Sequence, residues 1–528
     1  MMTSLRGTGS ILRFILRRDR IRFALWVVGI TALVLSSASS VQGIYKTKEQ
    51  LAEAAAVIDR NPAVIAMNGP PHALDTLGGR VAFEVGAFGF AIVGLMSMFF
   101  VGRHTRAEEE SERSELIRAA VVGRHAPTTA ALLFTVATHL LLAAIVAFGL
   151  ISLGLPTAGS LAFGAAMASV GLVFAGVSAV VVQITEHTRA AYGITGAVLG
   201  LAYVVRAAGD VGDGTLSWLS PLGWAQAVRA FANERWWVLL ISLVTTAVLI
   251  YVAFALSSRR DFGAGLVRPR PGSPTASSSL VRPLGLALRL QRASLIGWTV
   301  GVFATGLSYG SVGRDIEDFV GDNKDIAEVL AQAGGNLTDS FFATTLLVLA
   351  LIGTGFAIQS TLRLRAEESA GRAEPLLATA ITRVRWAGSH LTVAAVGTIV
   401  LLAAAGLGAG LAYGVMIDDL SQVPRLMGAA LVHVPGVWAL IGFTVVLFGF
   451  VPRATAVAWA ALGVCVVVGF LGELLGLPDW VVGVSPFDHV PQAPAVAVTF
   501  GPLLILSAVA AALAITGLTA FRRRDAGY

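Results

Sequence analysis

Residues 130–153 read AALLFTVATHLLLAAIVAFGLISL, a run without a charged side chain. Crossing the hydrocarbon of a bilayer takes about 20 residues of α-helix, so this stretch is long enough to span. Comparable runs occupy 25–44, 88–102, 161–182, 190–205 and 237–256 in the same half of the chain. Six more follow near 293–312, 341–362, 387–413, 426–450, 454–473 and 494–521. The 528 residues are 55% hydrophobic and only 13% charged, with mean hydropathy +0.76; an ordinary soluble protein is about 25% charged. The sequence predicts an all-α polytopic membrane protein with about twelve transmembrane helices.

The first run follows arginines and ends in SSASS, the outline of a cleavable signal. A counterpart of the same segment inside the chain argues that it stays. With the N-terminus placed in the cytoplasm, the segments that face inward hold 28 of the 38 lysines and arginines. That bias puts both termini and the central linker on the cytoplasmic side. The net charge of +6 is therefore a topology signal and calls for no nucleic acid. Cys465 is the only cysteine, which excludes a disulfide framework and a thiolate metal site.

The chain reads as a duplication. SSRRDFGAGLVRPRPGSPTASSSLVRP (257–283) is too rich in Ser, Pro, Gly and Arg for a core and marks a cytoplasmic linker. It separates a first six-span half, 1–257, from a second, 284–528, with the linker at 258–283. LRRDRIRFALWVVG (16–29) parallels LRLQRASLIGWTVG (288–301), matching Arg17 with Arg289 and Trp26 with Trp298. RAEEESERSE (106–115) returns 259 positions later as RAEESAGRAE (365–374), which pairs Arg106 with Arg365, Glu108 with Glu367, Glu109 with Glu368, Arg113 with Arg372 and Glu115 with Glu374. Arg124 and Arg383 keep that register, and SPLGW (220–224) meets SPFDH (485–489). An even number of spans preserves orientation, so the halves are two parallel six-helix repeats.

Each acidic stretch falls between the second and third spans of its half, on the cytoplasmic side. Glu, Arg, Ala and Leu favour helix, and Glu109 with Arg113, like Glu368 with Arg372, has the favourable i, i+4 spacing. The positive-inside rule selects Lys and Arg and gives no reason for acid, so paired acidic segments point to a docking surface. AEESAGRAEPLLATAITR (366–383) resembles the segment between the second and third spans of ABC-2-type exporter permeases, with its pattern of the kind E-E-x-G-x-x-E-x-L-L-A-T. AEEESERSELIRAAVVGR (107–124) keeps the Glu and Arg frame but lacks the glycine and the LLAT. The whole chain resembles the fused two-half permeases of actinobacteria grouped with tetronasin and other polyketide-antibiotic exporters.

The resemblance implies cytoplasmic elbow helices and coupling helices that dock on an ATPase subunit. It places Arg106, Glu108, Glu109, Arg113, Glu115, Arg365, Glu367, Glu368, Arg372 and Glu374 at the two ATPase contacts. A P-loop needs a lysine after glycine to reach the phosphates; the three lysines here, Lys46, Lys48 and Lys324, have no such neighbour. The chain is thus not itself an enzyme and holds no cofactor. ATP and Mg belong to a separate ABC ATPase, most simply a homodimer meeting both coupling helices.

Several residues inside or beside the spans are candidates for the path of an amphiphilic small molecule. Phe88, Phe90, Met96 and Phe99 lie in the second span, His139 in the third, and Phe342 and Phe356 in the eighth; lipid-facing packing explains such residues as well. Ser220-Pro221 and Ser485-Pro486 fit an N-cap with proline opening a helix on the outer side, and are candidates for an outer gate or plain caps. Stretches 47–60 and 315–332 read as outer amphipathic helices, and 10–22 as an elbow in the inner interface. Gly193, Gly196 and Gly200 have the spacing of a close helix contact. Glu473 closes the eleventh span.

The expected function is the membrane-spanning permease subunit of an ABC exporter in the bacterial cytoplasmic (inner) membrane, multi-pass, moving amphiphilic drugs or antibiotics across the lipid bilayer. The alternatives are an ABC permease for a lipid or glycan precursor and a proton-driven secondary transporter.

Overall fold

The computed structural model describes residues 2–58, 62–111, 122–261, 263–267, 274–313, 337–471 and 478–524. No strand occurs among them. They fall into two units, Met1–Gly272 and Ser273–Tyr528, divided inside the Ser/Pro/Arg segment.

The first unit is built from α1 (Thr8–Arg18), α2 (Arg20–Ile44), α3 (Lys48–Ile58), α4 (Pro62–Asn68), α5 (Leu77–His104), α6 (Arg106–Glu110), α7 (Ala126–Ser152), α8 (Thr157–Ile184), α9 (Thr188–Val211), α10 (Pro221–Ala227) and α11 (Val238–Arg259). The second comprises α12 (Pro283–Gly310), α13 (Leu337–Ser369), α14 (Ala373–Leu377), α15 (Arg383–Met416), α16 (Gln422–Leu431), α17 (Val434–Phe450), α18 (Val457–Leu471), α19 (Asp479–Val482) and α20 (Phe500–Arg523). Local chemistry sets several starts. Thr76 accepts from the Gly79 N–H at 3.0 Å to open α5, and Thr382 accepts from the Arg385 N–H at 3.3 Å to open α15. Both satisfy N–H groups that a first turn leaves without partners.

Ten helices among the described residues are long and apolar enough to cross a membrane, counting α16–α17 as one. The seventh predicted span lies in α12, which has 28 residues, about 42 Å. Its Gly, Ser, Thr and Tyr positions dilute its apolarity. The eleventh lies in α18, whose 15 residues reach about 22 Å. The helix expected over 315–332 and Glu473 lie outside the described residues.

In the first unit α5 and α8 are the inner helices, with 72% and 78% of their apolar windows buried against 22% for α2 and α11. Lipid offers no hydrophobic drive between helices, so close packing and internal hydrogen bonds must hold them. One such lock joins α5, α7 and α8. Ser97 Oγ donates to Gly171 O at 2.6 Å and lies 2.6 Å from His139 Nε2. The hydroxyl has one proton, so His139 Nε2–H is the donor to Ser97. A Cβ at residue 171 would fall 2.2 Å from His139 Cε1. Gly171→Ala should therefore cost about 1–3 kcal/mol by overpacking, read as a lower melting temperature of the purified chain. In a His139→Ala background, which removes the ring, Gly171→Ala should cost much less; an undiminished cost would place the clash elsewhere.

In the second unit α12 and α15 approach through glycine. A Cβ at Gly306 would lie 2.3 Å from Ala405 O, and one at Gly408 2.4 Å from Phe303 O. The glycines expected to do this, Gly193 and Gly200, have nothing within 4 Å of a Cβ, and Gly196 meets only Met98 Sδ at 3.9 Å. Spacing on α9 supplied the pattern, but no helix backbone among the described residues approaches that face.

Candidate functional site

The acidic segment of the first unit begins where α5 ends. Thr105 breaks the helix, and α6 carries Arg106, Glu108 and Glu109. Arg106 is 1% exposed. Its Nη1 donates to Glu109 Oε2 at 2.7 Å, and its Nη2 to Val182 O at 2.9 Å, to Ala264 O at 3.2 Å and to Thr185 O. It thereby satisfies carbonyls at the end of α8 and fastens the start of the linker. Glu109 also accepts from Arg260, at 2.6 Å on Oε1 and 2.9 Å on Oε2. Arg124 donates to the Ser257 and Arg260 carbonyls at 2.7 and 2.8 Å.

The second unit repeats this chemistry. Glu368 accepts from Arg365 at 3.3 Å and from Arg524. Arg524 donates to Phe448 O at 2.9 Å, and Arg383 donates to the Arg524 carbonyl. Each unit therefore holds a carboxylate between the arginine three residues before it and an arginine at the end of its last helix. The first ring is the tighter: Glu109 and Arg260 side chains are 12% and 8% exposed, Glu368 and Arg524 19% and 20%.

The expected Glu368–Arg372 pair does not form. The long helix α13 stops at Ser369 and Gly371 takes φ +68°, so the two residues no longer share a helix face. Arg372 pairs with Glu367 at 2.7 Å instead, and Glu367 also pairs with Arg363 at 2.6 Å. The segment is thus a helix end, a turn and the short α14 rather than one amphipathic helix. Arg113 and Glu115, and with them the Glu109–Arg113 pair, lie outside the described residues. Glu108 pairs with Arg18 of α1. Among the described residues of the two segments, the exposed charged side chains are Glu110 in the first unit, 3.2 Å from His187, and Arg372 and Glu374 in the second.

Arg260 and Arg524 escaped the sequence reading although a signal was there. RRDFG (259–263) and RRDAG (523–527) recur at the end of each half. Both look like the basic edge of a last span, which hides a specific ion-pair role.

A second cluster ties α1 to α5. Asp19, 2% exposed at the break between α1 and α2, accepts from Arg103 Nε at 2.8 Å and Nη2 at 3.1 Å. Burial alone would push its carboxyl up, but the Arg103 hydrogen bond and the neighbouring cationic side chains outweigh that and hold it below the ordinary range. A depressed carboxyl contributes stability above its unfolded pKa of about 3.9 and loses it as pH falls through the folded value. Asp19→Asn should therefore melt several degrees below wild type at pH 7. The two curves should converge as pH is taken below about 4; a gap independent of pH would contradict this.

The aromatic candidates scatter. Phe90, Met96, Phe342 and Phe356 are buried in helix packing, whereas Phe88 and Phe99 are 41% and 39% exposed. Phe90 packs on Phe163 at 5.9 Å, Phe88 on Tyr203 at 6.2 Å and Phe99 on Tyr192 at 5.3 Å. His139 belongs to the lock described above. Ser220 caps α10 as expected, accepting from the Leu222 N–H at 3.2 Å with Pro221 in the first turn. Ser485-Pro486 opens no helix; residues 483–490 form turns, and Pro491 and Pro494 leave no run of N–H donors to continue one.

A cavity of about 520 Å³ lies beside the first ring, between α1, α6 and the end of α11, and Phe14, Arg18, Glu108, Arg124, Arg260 and Asp261 line it. Among the described residues no group of His, Cys, Asp and Glu has the arrangement of a metal site.

Comparison with known proteins adds to this geometry. A family model described as "Multidrug efflux system permease Rv1217c, C-terminal domain" matches residues 280–522. The chain is 44% identical over 523 residues, 98% of its length and 95% of the relative's, to the multidrug efflux system permease protein Rv1217c of Mycobacterium tuberculosis.

Proposed function

The chain belongs to the family of multidrug efflux permeases that includes Rv1217c, and from that premise we propose that it is the permease subunit of an ATP-driven exporter of the ABC-2 type. Its cargo is an amphiphilic drug or antibiotic of the kind moved by the polyketide-antibiotic exporters. The twelve spans form two parallel six-helix repeats in the cytoplasmic membrane of a bacterium, with both termini inside. Helix α1 and the first turns of α12 serve as elbows. ATP and Mg are bound by a separate ATPase homodimer, one subunit at each acidic segment.

What supports this most is the paired ring. Arg106–Glu109–Arg260 and Arg365–Glu368–Arg524 brace the same segment in each unit. Each ring links that segment to the end of the unit's last span, so a push on the segment is passed to a membrane helix. Because the charges of Glu109 and Glu368 are spent inside, docking falls to the outward side chains, Glu110, Arg372 and Glu374. Nucleotide supplies the bias by favouring one conformation of the ATPase dimer over the other.

The test is transport. Inverted vesicles holding the chain and its ATPase should take up a fluorescent amphiphile when ATP is added, with vanadate blocking uptake and a proton uncoupler leaving it unchanged. Uptake driven by a pH gradient without ATP would make the chain a secondary transporter. ATP-driven movement of lipid but not of drugs would replace the cargo and keep the engine.

A further inference from the structure

We propose that a cavity at the opposite end of α5 from the ion-pair ring binds the oxyanion headgroup, phosphate or carboxylate, of an amphiphile. Its volume is about 460 Å³, within the range of small-ligand sites, and His72, Gln226, Arg229 and Arg235 stand on its wall together with Asp210 and Asp213. A narrow pit of about 40 Å³ shares Pro70, His72, Gln226 and Arg229 with it and is lined by Phe83, Phe90 and Phe163. Charge thus lies over an apolar floor, as a headgroup and the first atoms of its tail require.

The loop that carries the two arginines is held in an unusual shape. Arg229, Phe231 and Asn233 have φ of +54°, +65° and +57°, a region that side chains other than glycine seldom adopt. Phe231 anchors it. Its ring fills a slot that exists because residues 78 and 159 are glycines: a Cβ would come within 2.4 Å of the ring at Gly78 and 2.1 Å at Gly159. The turn closes through Arg235 N–H to Val228 O at 2.7 Å and Ala232 N–H to Arg229 O at 2.9 Å. Arg229 and Arg235 are thereby set on one wall.

Neither guanidinium has an ion pair among the described residues, although acids stand close by. Asp210 is paired with Arg206 at 3.1 Å and accepts from Ser217. Asp213 accepts the Thr215 N–H at 2.9 Å. His72 adds no charge at neutral pH, since burial, then Arg229 and Arg235, lower its pKa to about 4. Asp210 and Asp213 share the wall but neither pairs with Arg229 or Arg235, and two guanidinium groups without a carboxylate partner of their own are unfavourable in the empty site and favourable around an oxyanion, which they can bind through paired N–H donors. The register that aligns Ser220-Pro221 with Ser485-Pro486 places Pro494 opposite Arg229 and Phe500 opposite Arg235, so the arginine pair belongs to the first unit alone. The site goes beyond the export function and does not depend on what drives it.

Equilibrium binding to the purified full-length chain in neutral detergent tests it, with dioctanoyl phosphatidylglycerol, octanoate and, as an uncharged tail, octanol. At least one anion should bind saturably, and Arg229→Gln with Arg235→Gln should weaken it about 100-fold. The paired lysine replacements, which keep the charge, should weaken it less and guard against a folding defect. Arginine-dependent binding of phosphatidylglycerol alone assigns the site to a lipid; octanoate binding as well assigns it to anionic amphiphiles at large, including cargo. Equal affinity in wild type and the glutamine pair, or no binding of either anion, overturns the proposal.

Discussion

Glu109→Lys is expected to unseat the end of the first unit that carries the ion-pair ring, at a cost of about 3–5 kcal/mol, because removing one partner leaves buried charge uncompensated. Arg106 would then face a second cation while still buried against the end of α8, and Arg260 would lose the carboxylate it holds at 2.6 and 2.9 Å. Glu368→Lys breaks the matching ring where both partners are more exposed, so its loss should be smaller, about 2 kcal/mol. Thermal unfolding of the purified variants measures both, and the order matters more than either value. If Glu368→Lys proves the more damaging, the greater burial of the first ring is not what sets its strength.

Glu374→Lys should behave in the opposite way. The residue is exposed, in the first turn of α14, where losing an acid costs a few tenths to about 1 kcal/mol. Melting should scarcely change. If α14 docks on an ATPase, reversing this charge should weaken co-purification of that subunit by about 10-fold or more, and ATP-driven efflux should fall with it. A variant that melts like wild type and keeps its ATPase would remove α14 from the docking surface. Glu109→Lys also reduces association, but through lost stability, so the two variants separate bracing from docking.

The membrane-spanning character was legible in the sequence because it rests on length and apolarity, which need no partner. The run at 130–153 lies in α7, which begins four residues earlier and ends one residue sooner. Span limits were less legible where polar residues dilute the run, as in α12. The duplication of RAEEESERSE and RAEESAGRAE located the two acidic segments but not their pairing. Helical spacing put Arg372 beside Glu368, while Gly371 turned the chain and gave Arg372 to Glu367. The partners seen among the described residues, Arg260 and Arg524, stand 151 and 156 residues from their carboxylates, beyond any local pattern. The Gly193–Gly200 spacing failed for the converse reason: a small-residue stripe says that a helix can be approached closely, not that one does so.

The most direct measurement is a pull-down of the full-length chain from bacterial membranes in mild detergent, with ATP hydrolysis assayed on the material recovered. A co-purifying ATPase subunit, with hydrolysis that vanadate inhibits and Glu374→Lys diminishes, is the expected result. A chain that comes down alone and hydrolyses nothing, yet moves substrate on a proton gradient after reconstitution, would contradict the ATP-driven assignment.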